Sequence, residues 1–254
     1  MPDFATYPSL VDRTVLVTGG ATGIGASLVQ HFAAQGAKVG FIDIEADAGR
    51  ALAASLSGAR RPPVFVETDL TDTPALIATV EIVRQRLGPI AALMNNAAND
   101  QRHTVGETTP ESFDAGIAVN LKQQFFAAQA VVPDMQRAGG GSIVNFGSVS
   151  WMLKLARMPV YATSKAAVQG LTRSLARDLG DHAIRVNTLV PGWVMTEKQI
   201  RLWLDDAGKA DISRGQCIDR PLLPEHVARM ALFLAADDSS MCTAQDFVVD
   251  GGWT

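Results

Sequence analysis

Short apolar runs alternate with longer helical segments along almost the whole chain, and this alternation limits the fold more than any other feature. Seven runs are predicted to be strands, at 14–17, 39–42, 64–66, 91–94, 142–146, 184–190 and 246–249. Helices are predicted at 26–35, 47–56, 74–87, 110–137, 160–179 and 224–236. Strands that are apolar throughout and separated by helices are typical of a parallel sheet with both faces covered. We therefore predict an α/β fold, with residues 1–254 forming a single domain around a doubly wound parallel sheet of about seven strands.

Composition excludes several classes of protein. Hydrophobic residues make up 47% of the 254 residues, which is enough for one sizeable core and excludes disorder of the whole chain. The net charge of −4, without an obviously basic face, argues against nucleic acid as a partner. The longest apolar runs, such as 230–236, are too short to cross a membrane, and the first residues do not resemble a signal peptide. Cys217 and Cys242 are isolated and lack metal-ligand spacing, so we expect a cytoplasmic protein without a metal site.

One stretch, residues 192–220, interrupts the alternation. It contains Trp193, Trp203 and mixed charges. Long irregular segments inside a compact domain more often carry function than mark a boundary, so we predict a substrate lid here.

A glycine cluster joins the first predicted strand to the first helix. It runs from Thr18 to Gly25 and contains Gly19, Gly20 and Gly23. Glycines at such a turn let the backbone approach a pyrophosphate, which the N–H groups of the helix N-terminus then bind. The context of strand, turn and helix favours a Rossmann-type dinucleotide site over a plain tight turn.

An acidic residue at the end of the second strand supports this interpretation. Asp43 lies 43 − 25 = 18 residues after Gly25, close to the spacing of about 20 expected for a carboxylate that binds the adenosine ribose. A carboxylate there accepts hydrogen bonds from ribose hydroxyls and repels a 2′-phosphate. Neither Arg nor Lys occurs in the turn or directly after Asp43, so the sequence favours NAD over NADP.

A second group of residues has the composition of a proton-transfer site. Tyr161 and Lys165 are spaced i and i+4, which places them on one face of the predicted helix. An ammonium beside a phenol is expected to lower the phenol pKa and make it a usable general base. Ser148 follows the fifth strand at the ligand-facing edge of such a sheet and could hold the reacting oxygen of a substrate.

Taken together, these motifs resemble the short-chain dehydrogenase/reductase family over essentially the whole chain. The elements that match are the glycine turn 18–25, Asn95-Asn96-Ala97-Ala98, Asn120, Ser148, Tyr161 with Lys165, and Pro191-Gly192 with Thr196. The spacing from Ser148 to Tyr161 is 161 − 148 = 13 residues, as in the family. Ala98 stands where the family usually has Gly.

The resemblance implies a role for each matched position. Tyr161 is the expected base, Lys165 lowers its pKa and holds the nicotinamide ribose, and Asn120 positions a water that links Lys165 to solvent. Asp69 is expected to bind the adenine amino group, and Thr196 with the backbone near Val194 the carboxamide. The complete set expected to contact NAD is Gly19, Thr22, Gly23, Ile24, Gly25, Asp43, Ile44, Asp69, Leu70, Asn96, Ala97, Tyr161, Lys165, Pro191, Gly192, Val194 and Thr196. The resemblance also implies a homotetramer.

Finer features are similar to the bacterial aldose 1-dehydrogenases of the D-xylose dehydrogenase type. They are the segments 7–10, 99–103, 148–151, 216–217 and 251–253. A pyranose needs many hydrogen-bond partners and often an aromatic plate. The side chains expected to provide them are Asn99, Asp100, Arg102, His103, Ser148, Ser150, Trp151, Lys154 and Trp193, although each alone could be a surface-loop residue. Trp253 is expected to pack or to contact another subunit instead.

The resemblance therefore implies NAD-dependent oxidation of an aldose at C1 to the lactone. The sugar stays open among D-xylose, L-arabinose, L-fucose, L-rhamnose and D-galactose. A 3-oxoacyl or secondary-alcohol dehydrogenase/reductase is the alternative, although such enzymes usually use NADP, which Asp43 disfavours. A non-catalytic nucleotide-binding protein is a third possibility, which the intact Ser148, Tyr161 and Lys165 oppose.

Overall fold

Seven parallel strands form one sheet in the computed structural model, which describes residues 4–254. The strands are β1 (Thr14–Thr18), β2 (Lys38–Asp43), β3 (Val64–Glu67), β4 (Ala92–Asn95), β5 (Gly141–Phe146), β6 (Ile184–Pro191) and β7 (Asp246–Val249). Their order across the sheet is β3-β2-β1-β4-β5-β6-β7, and every neighbouring pair is parallel. The predicted fold class is confirmed.

Both faces of the sheet are covered, as the apolar strands predicted. In β1, Val15 and Val17 belong to one buried cluster and Leu16 to the other, because successive side chains point to opposite faces. All five residues of β1 are buried. The centre of the sheet thus separates two hydrophobic layers.

Nine α-helices occur within residues 4–254, and the long ones form the two layers. The helices are α1 (Gly23–Ala34), α2 (Ala46–Ser55), α3 (Thr73–Leu87), α4 (Pro110–Ile117), α5 (Gln123–Ala138), α6 (Pro159–Leu179), α7 (Glu197–Leu202), α8 (Asp206–Gly215) and α9 (Pro224–Ala235). Residues of α1, α2 and α9 pack in the first cluster, and residues of α3, α5 and α6 in the second. No helix of this described part is both long and apolar enough to cross a membrane.

The single helix predicted at 110–137 is wrong. The structure divides it into α4 and α5 by a π-helical turn, Ala118–Lys122, that contains Asn120. Pro133, which was expected to interrupt the helix, lies inside α5.

The stretch 192–220 is more regular than the sequence suggested, since it contains α7 and α8. Thr196 caps α7 by accepting from the Gln199 N–H at 3.3 Å, and Asp205 caps α8 by accepting from the Gly208 N–H at 2.7 Å. These two caps explain why short helices begin there.

The strand order reverses between β1 and β4, which lie side by side although β2 and β3 separate them in sequence. The carboxyl ends of all seven strands meet at one edge, and the connections after β1 and β4 diverge there to opposite sides. This divergence opens a crevice outside the sheet, where open α/β proteins bind their ligands.

Candidate active site

The glycine turn between β1 and α1 leaves no room for side chains at two positions. Gly19 has φ +64°, and a Cβ there would lie 2.7 Å from the Ala97 Cα. A Cβ on Gly25 would lie 1.8 Å from the Gly19 carbonyl oxygen. The backbone N–H groups at the start of α1 are therefore bare of side chains, which is the cradle that a pyrophosphate requires.

Two residues after β4 hold this turn in place. The Asn96 Nδ2 donates to the carbonyl oxygens of Thr18 and Gly19 at 3.0 and 2.8 Å. The Ala97 N–H donates to the Thr18 hydroxyl at 3.1 Å. Asn96 and Ala97 thus support the shape of the cradle through the backbone on its far side.

Asp43 ends β2 directly beside the glycine turn. Its Oδ2 accepts from the Ala21 N–H at 2.8 Å, and its Oδ1 accepts from the Glu45 N–H at 3.0 Å. These bonds fix a carboxylate next to the cradle, while the neighbouring Ile44 remains 63% exposed. Asp69 lies farther along the same edge, after β3, where it accepts from the Thr71 N–H and hydroxyl, and Leu70 beside it is buried.

Ser148, Tyr161 and Lys165 come together from two elements. Ser148 follows β5, and α6 carries the other two residues one turn apart. The Lys165 Nζ lies 5.6 Å from the centre of the Tyr161 ring and donates to the Phe146 carbonyl oxygen at 2.7 Å. Phe146 is the last residue of β5, so this hydrogen bond ties α6 to the strand that presents Ser148.

The electrostatics of this group differ from the sequence prediction. Burial, together with the negative charge of Asp100, raises the pKa of Tyr161 to about 12, although the hydrogen bond with Ser148 acts in the opposite direction. Burial also lowers the pKa of Lys165 to about 7. The expected lowering of the phenol pKa by a Lys165 ammonium is therefore wrong for the structure as described, because desolvation acts against both charged forms.

Asn120 is buried in the π-helical turn and binds the loop after β4. Its Oδ1 accepts from the Asn99 N–H at 2.9 Å, and its Nδ2 donates to the carbonyl oxygens of Asn99 and Gly116, both at 3.0 Å. The Asn120 carbonyl oxygen accepts from the Gln124 side chain at 3.3 Å. Asn120 therefore fixes the start of the segment 99–103, which continues over the crevice.

A cavity of about 310 Å³ opens above Ser148, Tyr161 and Lys165. Several residues of the dinucleotide half also line it, namely Ile24, Asn96, Pro191, Gly192, Val194 and Thr196. A Cβ on Gly23 would lie 3.1 Å from the Thr196 Cγ2, so the start of α7 and the glycine turn are in near contact. One continuous crevice thus connects the glycine turn with the hydroxyls of Ser148 and Tyr161.

A chain of polar side chains crosses the wall of this cavity. The Trp193 Nε1 donates to the Gln199 Oε1 at 3.0 Å, and the Gln199 Nε2 donates to the Asp100 Oδ2 at 2.6 Å. The Lys198 Nζ donates to the Asp100 Oδ1 at 2.7 Å, which lowers the pKa of this carboxyl against the effect of burial. The Arg102 guanidinium lies 5.2 Å from the centre of the Trp203 ring. The segment 99–103 is thereby fastened to α7 and to the residue that follows it.

Known proteins resemble the chain over nearly its full length. The family model described as enoyl-(acyl carrier protein) reductase matches residues 19–254. The D-xylose 1-dehydrogenase of Caulobacter vibrioides is 45% identical over 249 residues, which cover 98% of both chains. A protein of Rhizobium meliloti described as a probable galactose dehydrogenase is 45% identical over 97% of this chain and 96% of its own. A structure of a short-chain type dehydrogenase/reductase from Mycobacterium ulcerans superposes with a TM-score of 0.92 at 26% identity, covering 98% of this chain and 91% of that one.

The chain belongs to the short-chain dehydrogenase/reductase family. It is an oxidoreductase, and dehydrogenases of this family bind a nicotinamide dinucleotide. The bare cradle at Gly19 and Gly25, with the Asp43 carboxylate beside it, fits such a group.

Only some of the residues that were predicted to bind the substrate line the cavity of this short-chain dehydrogenase. Ser148, Ser150 and Trp193 line the cavity, as do Asp100 and Arg102. Asn99, His103, Trp151 and Lys154 lie outside the lining, and Lys154 is exposed on a surface turn.

Sequence reasoning missed three polar or aromatic residues of the cavity. Gln199 comes from α7, Asp211 from α8 and Trp253 from the C-terminal segment. A Cβ on Gly215 would lie 2.2 Å from the Trp253 Nε1, so this indole packs on the end of α8, in line with the packing role expected for it. The Thr-x-x-Gln pattern of Thr196 and Gln199 was an available signal, because it is typical of a helix N-terminus.

Proposed function

We propose that this dehydrogenase oxidises the C1 hydroxyl of an aldose to the lactone with NAD. The observation that carries the proposal is the polar wall formed by Asp100, Arg102 and Gln199 in the same cavity as Ser148 and Tyr161. A sugar presents several hydroxyls, and a site with several fixed polar groups is suited to bind them. The names of two relatives, a D-xylose and a probable galactose dehydrogenase, support a sugar over other alcohols.

In the proposed reaction Ser148 binds the C1 oxygen and Tyr161 removes the proton of the C1 hydroxyl. NAD held at the glycine turn and Asp43 would supply the acceptor for the hydride of C1. Lys165 provides a positive charge beside the phenol when it is protonated, and with a pKa of about 7 it is charged in a large fraction of molecules at neutral pH. Asn120 orders the loop that brings Asp100 and Arg102 to the cavity. The protein thus contributes orientation and proton transfer.

The preference for NAD is proposed from Asp43. Its position beside the glycine turn lets the carboxylate accept hydrogen bonds from the adenosine ribose, and a 2′-phosphate at the same place would be repelled. The exposed Ile44 and Asp69 are proposed to contact the adenine.

The segment 192–220 is proposed to act as a lid over the sugar. Its α7 is held against the segment 99–103 by Lys198 and Gln199 on Asp100, and Trp203 is held by Arg102. These contacts are made by side chains and can break without disturbing the sheet, as a lid requires.

Two further proposals concern the surroundings of the enzyme. A homotetramer is supported by Phe113 on α4 and Phe125 on α5, which are 42% and 41% exposed. A cytoplasmic location is supported by the free thiols of Cys217 and Cys242, which a reducing compartment preserves. Light scattering of the purified protein tests the first proposal, and a monomer would contradict it.

A panel of aldoses with NAD and NADP tests the proposed function. We expect reduced nicotinamide to form fastest with an aldose and NAD, because an aldose has several hydroxyls that can bind the polar wall and simpler alcohols do not. The product should be the lactone, identified by mass spectrometry. Better turnover of a simple secondary alcohol or of a 3-oxoacyl thioester would reject the sugar assignment and favour the alternative function.

A further inference from the structure

The helix that carries Tyr161 and Lys165 has an unusual beginning. Pro159 is its first residue and has no N–H, so the first free donor is the N–H of Val160. Within residues 4–254, Met158, at the N-cap position, makes no side-chain hydrogen bond to the helix. An N–H group at a helix N-terminus normally donates to an N-cap side chain, and here the acceptor lies on a distant segment.

His103 provides the missing acceptor. Its Nε2 accepts from the Val160 N–H at 3.4 Å, and its Nδ1 lies 3.0 Å from the Gln101 carbonyl oxygen. The backbone N–H of His103 also donates to the Arg157 carbonyl oxygen at 2.8 Å, which holds the ring before the helix. The loop that Asn120 fixes at Asn99 thus ends on the N-terminus of α6.

The two ring contacts define one protonation state. A carbonyl oxygen can only accept, so Nδ1 must carry a proton, and a backbone N–H can only donate, so Nε2 must be bare. Only neutral imidazole satisfies both. A second proton would turn Nε2 into a donor facing another donor and would place a positive charge at the positive end of the helix dipole.

We propose that His103 is a positioning residue that caps the catalytic helix when neutral and releases its first turn when protonated. Val160 directly precedes Tyr161, so loosening this turn displaces the phenol from Ser148. The charged neighbours are Glu107 and Arg157. Hydrogen bonds from the Thr104 N–H and hydroxyl lower the pKa of Glu107 most, and the charges of Arg157 and His103 lower it further. The effect on catalysis rests on the proposed role of Tyr161 as base, whereas the capping itself does not.

Amide hydrogen exchange and NMR test the capping in the intact enzyme without substrate. The amide of Val160 should exchange about fivefold faster in His103→Ala, since losing a cap typically weakens a helix end about fivefold. His103→Gln places an amide oxygen near the position of Nε2 and should restore the protection. In the wild type, the Val160 amide resonance should titrate with the same midpoint as the His103 ring. Unchanged exchange in His103→Ala would overturn the proposal.

The pH profile of kcat tests the consequence for catalysis. The ratio of wild-type to His103→Gln kcat cancels the titration of Tyr161 and Lys165, which both enzymes share. We expect this ratio to be constant at alkaline pH and to fall about five- to tenfold as His103 is protonated, because the glutamine keeps its acceptor. A ratio independent of pH would overturn the switch. Tyr161→Phe, which should lose at least about 10²-fold in kcat, separately tests the base, so the two failures are distinguishable.

Discussion

The two halves of the crevice differ in the atoms that hold them together, which are mainly main-chain atoms in the dinucleotide half and side-chain atoms in the proposed sugar pocket. Around the dinucleotide cradle most contacts involve the backbone. Gly19 and Gly25 pack against neighbouring main chain, and two backbone N–H groups hold Asp43. Around the proposed sugar pocket, side chains bind side chains, as in the series Trp193, Gln199, Asp100 and Lys198. The dinucleotide half is attached to strands of the sheet. The proposed sugar pocket instead joins the loop after β4 to α7 through Asp100 and Gln199, which lie 99 residues apart in the sequence.

Because of this difference, we expect substitutions to be tolerated less well in the dinucleotide half than in the proposed sugar pocket. A backbone cradle tolerates few substitutions, because a Cβ at Gly25 would collide with a carbonyl oxygen. A wall of polar side chains can be rebuilt one residue at a time. We therefore expect the dinucleotide half to determine the class of chemistry and the other half the substrate.

The largest effect is expected where the halves meet, at Lys165. Lys165→Met should lower kcat at least about 10²-fold and at the same time stabilise the fold. The lowering of the Lys165 pKa from 10.5 to about 7 costs the wild type roughly 3–5 kcal/mol of folding stability at neutral pH, and the variant avoids this cost. The variant also loses the hydrogen bond to Phe146, which reduces the gain in stability by about 1–3 kcal/mol. Each remaining kcal/mol raises Tm by about 2–4 °C.

The pH dependence of this stabilisation follows from the direction of the shift. The lysine pKa is lowered by folding, so the cost is complete below pH 7 and disappears as pH rises towards 10.5. Calorimetry should find the largest Tm gain of Lys165→Met near pH 6 and a smaller one near pH 9. Lys38→Met, at the opposite edge of the sheet, is the control and should retain activity. A Tm gain that grows with pH would contradict the explanation.

The second prediction concerns the dinucleotide half alone. Asp43→Ala removes a charged acceptor, which is worth about 1.5–3 kcal/mol, and should reduce the preference for NAD over NADP about 10- to 100-fold in kcat/KM. Asp47→Ala changes a fully exposed carboxylate four residues away and should leave the preference intact. A wild type that already prefers NADP would refute our interpretation of Asp43.

The smallest of the three effects is expected in the substrate half. Asp100→Asn keeps the size of the side chain but loses its charge, and should raise KM for the sugar about tenfold while KM for NAD stays constant. Because Asp100 raises the pKa of Tyr161, the rise of kcat with pH that follows deprotonation of this base should also move to lower pH. Asp12→Asn, which removes another ion-paired carboxylate near Arg61, is the matched control. A change in NAD affinity would show that the two halves are not separable.

The comparison also explains what could be predicted from the sequence. The cradle, Asp43 and the group of Ser148, Tyr161 and Lys165 are local motifs, and the rule that parallel strands share a carboxyl edge brings them together. The remaining cavity wall depends on tertiary packing, which is why Trp253 was not expected to line it. The pKa of Tyr161 was predicted in the wrong direction because burial is not visible in a spacing pattern.

The π-helical turn at Ala118–Lys122 sets the rotational phase between two helices. Each residue of an α-helix advances by about 100°, so the wider turn decides which side of α5 faces the sheet. On that side lie Ala127, Val131 and Met135, all fully buried, whereas α4 directs Gly116 at Val160, the residue beside Tyr161, the proposed base. Deletion of one residue here would keep the downstream sequence but rotate α5 by about 100° relative to α4. Either the buried side chains of α5 would turn away from the core, or Asn120 would turn away from Asn99. The length of this turn therefore fixes how the core-facing side of α5 is rotated relative to α4 and Val160. A change in that length would misplace side chains that are themselves unaltered.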